Sequence, residues 1–264
     1  MSCGSHRLPR RIPGTVTRVE LFPPQVGMIW VRPQETMGPW GPGQFAMVFP
    51  SASNDPLLGR PLGLAGQVDG QLLFLCRGVG RGTRMLLSSP PGSPVHLVAP
   101  LGSPLAPLEE SKLILLGGGV GVAALLPLAD RADRLLWAVR DGTWAGLMDR
   151  CSEALGLDRD RLVPVFEDGP PGEGCNGVEA LWRLPMDLKG ATVVACGPSG
   201  MLRAVWELGR ERGFRSLLGL ERRMACGFGG CMGCAIDLKG GVRARVCKDG
   251  PFFWGEDLDH EAFD

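Results

Sequence analysis

Residues 112–126 read KLILLGGGVGVAALL, and their reading decides the fold. Leu113, Ile114, Leu115 and Leu116 make an apolar run of strand length, and Gly117, Gly118 and Gly119 turn it at once into a second apolar run. A glycine-rich turn from strand into helix leaves backbone N–H groups free to face an anion, and a pyrophosphate is the anion such turns commonly hold. Gly117 and Gly119 fit the first two positions of the dinucleotide fingerprint, Gly121 adds a further small residue, and Val122 stands where the third fingerprint glycine belongs. By themselves these glycines read equally well as close helix–strand packing.

Downstream, strand-like and helix-like runs alternate: RLLWAVR then WAGLMDRCSEAL, RLVPVFED then GVEALWRL, ATVVACG then SGMLRAVWELGRERG, and finally FRSLLGLE. This alternation predicts a parallel sheet with helices on its faces, whose ligands bind beyond the carboxyl ends of the strands. GVAALLPLADRA after the glycine turn is expected to be helical, and in the last helix Met201, Val205 and Leu208 are expected to form one buried face. The turn CGPSGML places Cys196, Gly197, Pro198 and Met201 at the same sheet edge as Gly117–Gly121, so two turns face one crevice.

Upstream, GTVTRVELF, MIWVRP, GQFAMVFP, PLGLAG, QLLFLCRG and PVHLVAPLG read as six short strands between Gly and Pro, with a short helix near TRMLLSS at 83–89. Six strands at this spacing predict a small antiparallel barrel. Arg60 and Arg77 lie beside glycines and Thr83 in turn contexts there, where a guanidinium fork and the donors of Gly82 and Thr83 could meet phosphate; ordinary surface arginines explain them as well.

Downstream of the sheet, Cys226, Cys231, Cys234 and Cys247 follow a C-x4-C-x2-C-x12-C spacing. The first three reproduce the plant-type run for a 2Fe-2S cluster, which takes four thiolates. Gly227, Gly229, Gly230 and Gly233 between them let a chain wrap closely and aim N–H groups at sulfur. A zinc site would show two short knuckles rather than one, and a disulfide scaffold would spread its cysteines along the chain; both remain weaker readings. Cys3, Cys76, Cys151, Cys175 and Cys196 are isolated and read as incidental or buried thiols. A one-electron cluster needs a partner that splits electron pairs, which points to a flavin.

The whole chain has 264 residues, 28 basic and 28 acidic, with 40 Gly and 23 Pro. Zero formal charge and scattered arginines give no basic stripe for nucleic acid. The N-terminal MSCGSHRLPRRIPG lacks the apolar stretch of a secretory signal, and the longest apolar run is broken by glycines, so no membrane span and a cytoplasmic location are expected. His6, His96 and His260 read as ordinary surface or core residues.

Together the motifs resemble the ferredoxin-reductase-like flavoproteins, specifically the electron-transfer subunits of two-subunit, NAD-linked dihydroorotate dehydrogenases. RPLG at 60–63, LCR at 75–77, the Gly82–Thr83 pair, GGGVGV, CGPSGML, RMACGFGGCMGC and VCKDGPFF carry the resemblance over nearly the whole chain. It implies an FAD-binding barrel at 1–104, a parallel-sheet NAD-binding domain at 105–221 and a 2Fe-2S segment at 222–264. Arg60, Pro61, Leu62, Gly63, Leu75, Cys76, Arg77, Gly82 and Thr83 would contact FAD. The glycine turns would admit NAD, and the four clustered cysteines would hold the iron-sulfur centre. The implied partner is an FMN-containing catalytic subunit, two copies of each forming a heterotetramer, in pyrimidine biosynthesis. This chain departs from the family pattern at Gly63, usually Ser, at Cys76, commonly aromatic, and at Ala123 and Ala124, usually prolines. Other readings are a reductase subunit of sulfhydrogenase, sulfite reductase or ferredoxin:NADP oxidoreductase type, the last disfavoured by Cys226 where that group has Asp, or a non-enzymatic metal-containing redox sensor.

Overall fold

The structure is a computed structural model, and it describes residues 9–35, 37, 40–51, 55–108, 112–169 and 174–263. Cys3 and His6 lie outside the described residues. Six antiparallel strands close a barrel in the order β1-β2-β5-β4-β3-β6: β1 (Arg10–Phe22), β2 (Val26–Pro33), β3 (Phe45–Phe49), β4 (Arg60–Val68), β5 (Gln71–Arg77) and β6 (Pro94–Leu101). The helix α1 (Arg81–Leu87) links β5 to β6.

Strand β2 explains how the barrel meets the rest of the molecule. Side chains alternate across a strand, so Ile29 and Val31 enter the barrel interior with Val16, Phe74 and Leu97, while Met28 and Trp30 point outward. The outward pair is also buried, because it packs with Leu125, Leu147 and Met148 of the following unit. A strand covered on both faces carries apolar residues at successive positions, as MIWV does.

The second unit is a sheet of order β14-β11-β10-β7-β8-β9. Its parallel strands are β7 (Leu113–Gly118), β8 (Arg134–Val139), β9 (Leu162–Phe166), β10 (Thr192–Cys196) and β11 (Arg215–Gly219), with α2 (Ala145–Leu155), α3 (Gly177–Trp182) and α4 (Ser199–Arg212) between them. Two sequence expectations shift here. GVAALLPLADRA forms two 3-10 stretches, Gly119–Ala124 and Leu126–Arg131, because Pro127 lacks the N–H that a continuous α-helix needs. The buried face of α4 centres on Leu202, Val205, Trp206 and Gly209: Val205 is buried as expected, Met201 and Leu208 are half-buried against the same core, and Trp206 turns its ring inward with its indole N–H donating to the Gly255 carbonyl at 2.8 Å.

The cysteine segment has no separate core. Its antiparallel hairpin, β12 (Ala235–Leu238) with β13 (Val242–Arg245), contributes Cys234, Ile236, Ala244 and Val246 to the same cluster as barrel residues Phe45 and Met47 and sheet residues Leu116 and Leu218. The chain then returns as β14 (Phe252–Trp254), antiparallel to β11, and closes the sheet edge.

Candidate flavin, dinucleotide and cluster site

The order of strands reverses between β10 and β7, which opens a crevice at their carboxyl ends. Register sets Gly117 directly beside Cys196, so the two glycine turns leave the sheet as neighbours. They touch through backbone: a Cβ on Gly121 would lie 2.6 Å from the Cys196 carbonyl oxygen, and one on Gly118 would lie 2.7 Å from the Pro198 ring and 3.0 Å from Met201 sulfur. Gly197 is equally close to Gly118. All the predicted residues of the two turns are thus gathered in one place. Trp137 fixes the turn from below, its indole N–H donating to the Gly119 carbonyl at 3.0 Å. Val122 is fully buried against Gly117, which explains why a third glycine is dispensable there.

Where barrel meets sheet, a cavity of about 150 Å3 is lined by Phe45, Pro61 and Gly63 of the barrel, Ala124 and Cys196 of the sheet, and Glu221, Met224 and Phe252 of the last segment. Two departures from the family pattern meet in it: a Cβ on Gly63 would sit 3.3 Å from the Ala124 methyl. The two small residues lie side by side and widen the same wall. Glu221, which follows β11, was not singled out by its sequence; its surroundings push its carboxyl above the ordinary carboxylate range by desolvation. The signal was positional, an acidic residue past the carboxyl end of a parallel strand.

The remaining predicted flavin residues divide. Arg60 lays its guanidinium across the start of α1, where a Cβ on Gly82 would come within 2.3 Å of Arg60 carbon and nitrogen. The guanidinium, whose Nη1 donates to the Leu58 carbonyl, thereby sets a cation beside the first turn of the helix. Thr83 accepts from the Gly80 N–H and donates to the Gly80 carbonyl, both at 2.9 Å, so its hydroxyl caps α1. Arg77 ends β5 exposed to solvent. Leu62 and Cys76 turn into the barrel interior, and burial pushes the Cys76 thiol up to about 12; Leu75 faces the sheet unit. Leu62 and Cys76 therefore offer a ligand their backbone rather than their side chains.

The clustered cysteines stand as two pairs. The Cys231 N–H donates to Cys226 sulfur at 3.4 Å, and the Cys247 N–H donates to Cys234 sulfur at 3.4 Å. Cys226 is half-buried and Cys231 exposed, whereas Cys234 and Cys247 are buried. Burial pushes the Cys226 thiol up, but N–H groups of Cys231, Phe228 and Gly230 and the Cys231 thiol outweigh it and hold the group at about 6. Cys247 goes the other way, to about 12, through burial and the neighbouring Cys234. The loop seats on the barrel: Gly227 has φ +78°, and a Cβ there would lie 2.5 Å from Met47. Two thiol pairs under converging N–H groups suit a two-iron centre, in which each iron takes two thiolates, better than one tetrahedral zinc. All eight described cysteines are free thiols.

A family model for the iron-sulfur cluster binding domain of dihydroorotate dehydrogenase B matches residues 221–259. A dihydroorotate dehydrogenase B (NAD(+)) electron transfer subunit from Geobacillus kaustophilus strain HTA426 is 35% identical over 224 residues, covering 80% of this chain and 84% of the relative. This chain belongs to the family of dihydroorotate dehydrogenase B electron transfer subunits. Another member, from Caldanaerobacter subterraneus subsp. tengcongensis, is 32% identical over 222 residues, covering 82% and 86%. Among solved structures, an NADH-dependent reduced ferredoxin-NADP oxidoreductase superposes with a TM-score of 0.76 at 24% identity, covering 97% of this chain and 91% of the other. A ferredoxin NADP+ reductase from Neisseria gonorrhoeae with bound FAD and NADP gives 0.62 at 16% identity, covering 77% and 92%. The structural likeness establishes the ferredoxin-reductase-like fold. The residues present fit these groups: the cleft beside Pro61 and Gly63 suits a flavin ring, the paired glycine turns suit a dinucleotide, and the four thiols suit a 2Fe-2S cluster.

Proposed function

We propose that this chain carries electrons from a catalytic subunit that oxidises dihydroorotate to NAD+, with FAD in the barrel–sheet cleft and a 2Fe-2S cluster on Cys226, Cys231, Cys234 and Cys247. One observation carries the reading: the cluster loop and the cleft are joined through a single layer of side chains. Met224 lines the cleft two residues before Cys226, and Gly227 rests on Met47, whose strand partner Pro61 lines the cleft from the other side.

When bound, FAD exchanges a hydride with a nicotinamide and single electrons with an iron-sulfur cluster. The protein's part is placement. Arg60 and the start of α1 supply positive potential for a pyrophosphate, and the Gly117–Gly121 and Cys196–Pro198 turns let a second dinucleotide approach backbone closely. Gly63 and Ala124 leave room where the two ring systems would stack. The buried sides of Cys234 and Cys247 keep water from one half of the cluster, while exposed Cys231 faces outward beside Phe228 and Met232, large apolar side chains 52% and 47% exposed. That face suits the catalytic subunit, proposed to carry FMN and to assemble two-and-two with this chain in the cytoplasm. Residues 1–104, 105–221 and 222–264 act as the FAD, NAD and cluster units.

Reconstitution tests the reading. Mixed with an FMN-bearing, dihydroorotate-oxidising subunit, the holoprotein should make NAD+ reduction depend on dihydroorotate. Transfer to artificial acceptors from NADH without any dihydroorotate-dependent NADH formation would assign the chain to a different partner.

A further inference from the structure

The barrel and the sheet unit meet over an apolar interface, in which Met28, Trp30 and Leu75 of the barrel pack with Leu125, Leu147 and Met148. Apolar contact is non-directional, so it holds two units together without fixing where one lies along the other. Helix α2 runs along the barrel wall and touches it at three points: Gly146 beside the Phe22 ring, Arg150 beside Glu20, and Leu155 over Gly66. The middle point is charged. Arg150 Nε donates to Glu20 Oε2 at 2.7 Å, while Glu20 Oε1 accepts from the Trp30 indole N–H at 3.3 Å and lies 3.1 Å from Arg18 Nε. The barrel thus aims the carboxylate, and both its oxygens are engaged. The side chains of Glu20 and Arg150 are only 23% and 32% exposed, so salt and water screen the pair less than one at the open surface. The other ion pairs of the barrel among the described residues, Arg10–Glu35, Arg18–Glu20 and Arg81–Asp55, stay within it.

We propose that the Glu20–Arg150 pair sets the position of the sheet unit along the barrel, and with it the spacing between flavin and nicotinamide rings, which makes Glu20 and Arg150 positioning residues for hydride transfer. The reason is register. One helical turn to either side of Arg150 stand Gly146 and Ala154, so sliding α2 by one turn, about 5.4 Å, would set a residue with no donor side chain opposite Glu20. The carboxylate would be left half-buried without its partner, a costly state for a charge. The small and apolar side chains at the other two points discriminate less between neighbouring positions. A shift at the pair carries to the cleft: Ala124 of the cleft wall packs in the same apolar cluster as Leu147 and Met148 and moves with α2, whereas Pro61 and Gly63 move with the barrel. The gap between those walls is the one across which the two rings must face each other. The inference rests on reading the cleft as the flavin site.

The test compares Glu20→Gln, Arg150→Ala and the double variant with the unaltered FAD-loaded protein. FAD reduction at saturating NADH is followed by stopped-flow absorbance, and FAD content and ADP-ribose binding are measured on the same samples. Each single variant should slow FAD reduction about tenfold, the order expected of a shift smaller than the ~1 Å that costs a hundredfold. The double variant should be no slower than either single one, because each change removes the same bond. FAD content and ADP-ribose affinity should be unchanged, since each of these ligands is held by one unit. Arg150→Lys keeps a cation within reach of Glu20 and should recover most of the rate. Glu153→Ala removes only the partner of Arg150 on its own helix and should leave the rate unaltered. Normal FAD reduction in both single variants, or losses that multiply in the double variant, would overturn the proposal. So would loss of FAD and ADP-ribose binding in step with the rate, which would make the pair a support of the fold. Failure of the unaltered protein to take up FAD would overturn the cleft reading itself and the positioning role with it.

Discussion

The dinucleotide crevice is built from backbone, whereas the cluster loop is built from side chains hung on a backbone that barely supports itself. In the crevice, Gly118, Gly121 and Gly197 contribute the absence of a Cβ, and the strands behind them, β7 and β10, are buried along their length. In the loop, four sulfurs are the proposed ligands, and the segment borrows its core from Met47, Leu101 and Leu116. Both regions use glycine, but for different ends: Gly121 allows two chains to touch, while Gly227 takes a left-handed turn so that N–H groups converge on sulfur. The crevice should therefore fail through added bulk and the loop through loss of ligands.

Added bulk is the sharper probe of the crevice. Gly121→Val puts atoms where the Cys196 carbonyl already lies within 2.6 Å of a Cβ, so the two turns must part. A displacement of about 1 Å in a positioning element costs on the order of a hundredfold, and KM for NADH should rise by about that factor while bound iron stays constant. Equal loss of iron would show that crevice and loop are not independent.

A smaller effect is expected on the outer face of the loop. Phe228→Ser removes a large exposed side chain that touches neither cleft nor crevice. Its loss should weaken association with the catalytic subunit by about 2 kcal/mol, roughly thirtyfold in Kd by sedimentation or calorimetry. NADH oxidation by the isolated chain should be unchanged, and unaltered association would move the docking face elsewhere.

The smallest effect concerns the buried sulfurs on the barrel side. Burial raises the Cys76 thiol to about 12, so it keeps its proton through neutral and mildly alkaline pH, and the stability it lends falls as pH climbs from about 8.5, its unfolded value, toward 12. In the folded protein at about pH 8, iodoacetamide should leave Cys76 unmodified by peptide mapping. Rapid modification there would mean the barrel opens readily.

What the sequence revealed follows the same division. Features fixed by short-range chemistry were legible: the six strands between Gly and Pro, the turn after Leu116, and the spacing of Cys226, Cys231 and Cys234. Features that depend on what a neighbouring strand brings were not. Glu221 gains its environment only from the barrel wall at Pro61 and from Phe252, and the pairing of Arg140 with Asp168 exists only because β9 ends beside β8. The buried face of α4 is wider than the stripe of Met201, Val205 and Leu208, because the bond from Trp206 to the Gly255 carbonyl draws the helix toward the last segment. Cys76 was assigned to the flavin by motif position, yet the barrel register turns its side chain inward.

The central claim is that cluster and flavin occupy separable sites joined across one layer of side chains. Both ends of the cluster segment are pinned without the cluster: Leu220 N–H to the Pro251 carbonyl at 2.9 Å, Ser103 N–H to the Gly250 carbonyl at 2.6 Å, and β14 against β11. The most direct test is to quantify iron and FAD in Cys231→Ser beside the unaltered chain, with NADH oxidation by ferricyanide and dihydroorotate-dependent NAD+ reduction measured on the same samples. The account predicts loss of the cluster and of the dihydroorotate-coupled reaction, with about one FAD per chain and near-normal ferricyanide reduction. Loss of FAD together with the iron would contradict it, since the cleft would then depend on the cluster to hold its shape.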